Sequence, residues 1–65
     1  MEESEKKIMK ALQNEHLGMT IEEASKKLGM HRITASKYLA VLEARGYVSY
    51  KKVGKAKLFY TVKKL

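Results

Sequence analysis

Gly18, Gly29, Gly46 and Gly54 are the only strong chain breakers in a 65-residue sequence that has no proline. They cut the chain into short pieces, none able to bury an apolar face alone, so any fold must gather all of them around one core. A chain this short hides only about 60% of the surface it exposes when unfolded, which leaves no room for a large internal cavity. One domain spanning residues 1–65 is therefore expected.

The piece before Gly18 places Ile8, Met9, Leu12 and His16 on one stripe of a helix, with Gly18 as its stop. His16 is then a boundary residue or a partner for the helix C-terminus rather than a ligand. Thr20-Ile21-Glu22-Glu23 opens the next piece with a capping box: Thr20 can accept from the Glu23 N–H while the Glu23 side chain reaches back. Ile21, Ala24 and Leu28 line one side of the short helix that follows, and Gly29 closes it in a left-handed conformation.

A third helix is expected from His31 or Arg32 to Arg45, with Gly46 beyond it. At about 100° per residue, Ala35, Leu39 and Leu42 share a core stripe with Tyr38 at its edge. The opposite side carries Ile33, Ser36, Lys37 and Ala40, flanked by Arg32 and Thr34, with no acid until Glu43. Small hydroxyls, cations and one exposed isoleucine make a poor choice for solubility alone, but they suit a helix pressed into a groove of DNA.

Tyr47-Val48-Ser49-Tyr50 and Leu58-Phe59-Tyr60-Thr61-Val62 are β-branched and aromatic, and they flank a stretch from Lys51 to Lys57 that contains Gly54. This predicts a β-hairpin with Gly54 at its tip. Period-two alternation places Leu58, Tyr60 and Val62 on one face and Phe59 and Thr61 on the other, and Val48 with the 58/60/62 set is expected to face the helices. Tyr50 and Phe59 are candidates for the outer face, whereas Tyr38, Tyr47 and Tyr60 are expected in or beside the core. Every charge in the loop is positive: Lys51, Lys52, Lys55 and Lys57.

The net charge of +7 is unevenly spread. Residues 1–30 hold five lysines against six glutamates, a balance of −1, whereas residues 31–65 hold nine cations against Glu43 alone, a balance of +8. Such asymmetry is the footprint of a face that meets a polyanion. Lys6-Lys7 and Lys26-Lys27 are expected to be solvated and paired with nearby glutamates, and Lys63-Lys64 to touch phosphate or form a soluble end.

Composition excludes several chemistries. With no cysteine and no aspartate, and only His16 and His31, the chain offers no disulfide, thiolate metal site, catalytic triad or paired-carboxylate site. No enzyme activity, metal or cofactor is expected. The longest apolar run is Leu39 to Leu42 and the N-terminus is acidic, so neither a membrane span nor a signal peptide is predicted, and a cytoplasmic location follows as the expectation.

The run from Met19 to Val48, MTIEEASKKLGMHRITASKYLAVLEARGYV, resembles the helix-turn-helix core of bacterial and archaeal winged-helix transcriptional regulators, the broad group that includes the ArsR-like and MarR-like families. The resemblance implies an α+β winged helix-turn-helix fold, three helices followed by a C-terminal β-hairpin wing, that binds double-stranded DNA. It makes residues 20–28 the positioning helix, 31–45 the recognition helix and 47–62 the wing. His31 stands where the family often has a Ser or Thr cap; it is a poorer cap than either, and the alternative is that it lies against a phosphate or a base. The sequence departs from ArsR-like sensors in having no Cys or His metal site, and from MarR-like proteins in having no long dimerisation helices.

The residues expected to meet DNA are Arg32, Ile33, Thr34, Ser36 and Lys37 in the major groove, with Lys51, Lys52, Lys55 and Lys57 on the backbone or minor groove. A homodimer on a two-fold site, and a sensor or partner domain elsewhere in the polypeptide, are the further partners the resemblance admits. Two alternatives stay open at this point: a winged-helix protein-interaction module, and an architectural nucleic-acid binder without sequence preference.

Overall fold

The computed structural model describes residues 2–63. Helix α1 runs Glu3–Gln13, strand β1 Met19–Thr20, α2 Ile21–Leu28, α3 Arg32–Ala44, β2 Val48–Val53 and β3 Ala56–Thr61. The strands form one antiparallel sheet in the order β1-β3-β2. Ile8, Met9 and Leu12 of α1, Ala24 of α2 and Leu39 and Leu42 of α3 meet Met19, Val48 and Phe59 of the sheet in a single core. This is the α+β arrangement of three helices and a terminal hairpin.

Helix ends are fixed by local chemistry. The Glu23 N–H donates to Thr20 Oγ1 at 3.2 Å and the Thr20 N–H donates to Glu23 Oε1 at 2.9 Å, the reciprocal box that starts α2. Gly29 ends α2 at φ +64, where a side chain would be strained. Helix α1 ends sooner than the stripe suggested: His16 lies three residues beyond Gln13, exposed in the connection, and belongs to no helix. The apolar periodicity already stops at Leu12, and the Asn14 N–H closes the last turn on the Ala11 and Lys10 carbonyls.

Strand β1 was not anticipated, being only two residues long. It exists because Met19 pairs with Phe59 and Thr20 with Leu58, and Gly18 at φ +87 lets the chain pass against β3. A Cβ at Gly18 would collide with the Phe59 carbonyl oxygen.

The hairpin is longer and faces the other way from the sequence expectation. Lys51, Lys52 and Lys57 are strand residues, and only Gly54-Lys55 forms the loop. Val48 is buried as expected, but it pairs with Thr61, and Tyr50 pairs with Phe59, so the inward set of β3 is the Phe59 and Thr61 parity. Phe59 is only 4% exposed, whereas Val62 is 56% exposed and lies past the strand. A one-residue change of parity moves every side chain to the other face. The pairing of Phe59 with both Met19 and Tyr50 decides it, bringing the Tyr50 and Phe59 rings to 5.4 Å between centroids. Tyr50 and Phe59 are thus removed from the outer face, while Tyr38 and Tyr47 pack against the core.

One buried carboxylate has no signature in the local sequence pattern. Glu5 is 2% exposed, its Oε1 accepting from the Glu2 N–H at 2.7 Å and its Oε2 standing 3.7 Å from an Arg45 guanidinium nitrogen. One cation of the basic half is thereby committed to tying the end of α3 to α1.

Candidate nucleic-acid interface

Helix α3 begins at His31, whose ring does what a Ser or Thr cap would do: the Ile33 N–H donates to His31 Nδ1 at 3.1 Å. His31 therefore caps the helix, although an imidazole is a poorer cap than the hydroxyl of Ser or Thr. Because Nδ1 accepts, the remaining ring N–H is on Nε2, and the imidazole stays exposed at the helix start.

From that start the buried stripe of Ala35, Leu39 and Leu42 turns inward, which leaves the other side of the first two turns open. Arg32, Ile33, Ser36 and Lys37 line one shallow groove together with His31 and with Ile21 from the first turn of α2. Thr34 is exposed but does not line it. Ile33 is 73% exposed.

A second cleft runs between the helices and the wing, lined by Thr20, Ile21, Glu22, Glu23, Arg32, Lys55, Ala56 and Lys57. Arg32 borders both spaces, so the N-terminus of α3 and the wing form one continuous surface. Lys52 and Lys57 lie directly opposite each other on β2 and β3, a placement that like charges make unfavourable until an anion comes between them. Lys57 Nζ also sits 4.6 Å from the centre of the Tyr50 ring. Lys51 is set apart: with Tyr60, Thr61, His16 and Leu17 it borders a recess beside α1.

The cations of α2 are differently placed. Lys27 Nζ donates to Glu15 Oε1 at 2.9 Å and Lys26 Nζ lies 3.6 Å from Glu22, as the sequence suggested. Lys64 lies outside the described residues. Among the described residues no cluster of His, Cys, Asp or Glu could hold a metal, and no helix is long and apolar enough to cross a membrane.

A short capped helix, a tight glycine turn, a second helix with its N-terminal side open and a basic hairpin beside it define a winged helix-turn-helix domain. Residues 7–52 match the family model of the IclR helix-turn-helix domain, and the chain belongs to that family. It is a DNA-binding transcription regulator. The match upholds the winged-helix class read from the sequence and points to the IclR type, not to the ArsR-like or MarR-like group. Regulators of this family are typically not enzymes. No curated protein matches the chain.

Proposed function

We propose that the open side of α3 reads base edges in the major groove while the wing holds the DNA backbone. Arg32, Ile33, Ser36 and Lys37, which line the groove, are the principal reading residues, with Thr34 exposed at its flank; Lys52, Lys55 and Lys57 are the principal holding ones, with Lys51 adding charge from the other face of the hairpin. The observation that carries this division is the facing pair Lys52 and Lys57, in a wing that contains no acid. Neutralising five to seven phosphates would make log K fall against log salt with a slope of about −5 to −6.

The reading extends to residues 1–65 as one DNA-binding domain, acting in the cytoplasm without catalysis. It also extends to two copies on a two-fold site with half-sites about one helical turn apart, joined through a sensor or partner domain of a longer polypeptide. Sedimentation with and without duplex measures that stoichiometry.

Selection of bound duplexes from a random pool tests the core of the proposal. Lys52→Ala or Lys55→Ala weakens binding to all sequences alike, whereas Lys37→Ala or Ser36→Ala changes which sequence is preferred. Equal, sequence-dependent losses from both sets would refute the division. No enrichment over random DNA would leave an architectural binder in its place.

A further inference from the structure

We infer that Ile33 is a thymine reader: its side chain, framed by Ile21 of α2, takes the C5-methyl group of one thymine in the major groove. The inference rests on the functional reading above and names what the groove at the start of α3 recognises.

Four large apolar side chains are strongly exposed among the described residues: Leu17, Ile33, Val53 and Val62. Only Ile33 lies in the α3 groove, where Ser36 and Lys37 stand three and four residues on along the same face and Arg32 precedes it. Two cations beside it match a polyanion and disfavour an apolar protein partner, so the apolar contact is expected within DNA. In the major groove the one apolar group that distinguishes an unmodified base pair is the thymine methyl.

The placement is rigid as well as exposed. Isoleucine is β-branched and keeps essentially one χ1 rotamer on a helix. Its own backbone N–H is held by His31 Nδ1, which fixes the first turn from which it projects. Ile21, half-buried against the core, forms the apolar floor on the α2 side of the same groove. His31 is on this account a positioning residue for Ile33.

The test uses the duplex preferred in selection from a random pool, with each thymine replaced in turn by deoxyuridine, which removes the methyl group alone. One position should weaken binding by about 4-fold, the worth of one buried methyl at 25 °C. Ile33→Ala should bind the thymine duplex as weakly as the unaltered protein binds the uracil one, and should no longer distinguish the two. Because Ile33 is exposed, this variant should keep its thermal midpoint. Absence of a sensitive thymine, or discrimination that persists in Ile33→Ala, overturns the inference while leaving the DNA-binding reading intact. A selection with no preferred duplex overturns that reading, and this inference with it.

Discussion

The lysines of α2 and those of the wing have the same chemistry and opposite situations. Lys26 and Lys27 stand beside Glu22 and Glu15, so their charge is balanced within the protein. Lys51, Lys52, Lys55 and Lys57 pair with no carboxylate among the described residues, and two of them face each other across the hairpin. What matters for a polyanion is therefore not the total of +7 but which cations the fold has already balanced. Arg45 belongs with the first set, since it answers the buried Glu5.

This contrast can be broken by substitution. Replacing all four wing lysines by alanine should have the largest effect, weakening binding to any duplex by roughly 10²–10³-fold at 0.15 M salt, because each phosphate contact carries a slope of about −0.9. A gel-shift titration on random and preferred duplexes checks it. Lys37→Ala should follow, reducing the preference between the selected duplex and one mismatched at its site by about 1–3 kcal/mol in a competition assay.

Arg45→Ala should move stability instead. It leaves the Glu5 carboxylate buried with one partner fewer and should cost about 1 kcal/mol, a figure held low because the arginine is itself half exposed. A thermal melt would show a midpoint roughly 4–8 °C lower for a domain of this size. Smallest of all, Lys26→Ala and Lys27→Ala should each change stability by less than about 0.5 kcal/mol by denaturant titration.

Much of this contrast is legible in the chain because its causes are local. Thr20 and Glu23 announce a capping box by spacing alone, Gly29 and Gly46 mark helix ends, and the spacing of Ala35, Leu39 and Leu42 separates the buried side of α3 from the open one. The features that escaped are those set by distant parts of the chain. The parity of β3 depends on Phe59 pairing with Met19, forty residues earlier, and two residues of β1 carry no period from which to infer it. The Glu5–Arg45 contact likewise joins opposite ends of the helical layer. The capping role of His31 is invisible in the chain because an imidazole is an uncommon cap, and only the bond to the Ile33 N–H reveals it. Within the candidate interface, periodicity identified the exposed residues of α3, but not that Thr34 lies off the groove or that Lys51 borders another recess.

The central claim, that the fold has balanced one set of lysines and left the other for phosphate, is tested most directly by the salt dependence of duplex binding. Log K against log salt should be measured for the unaltered protein, for Lys26→Ala/Lys27→Ala and for Lys52→Ala/Lys55→Ala. The α2 pair should reproduce the unaltered slope, and the wing pair should be shallower by about 1.8, two phosphate contacts at about 0.9 each. Equal slope changes from the two pairs would contradict the account.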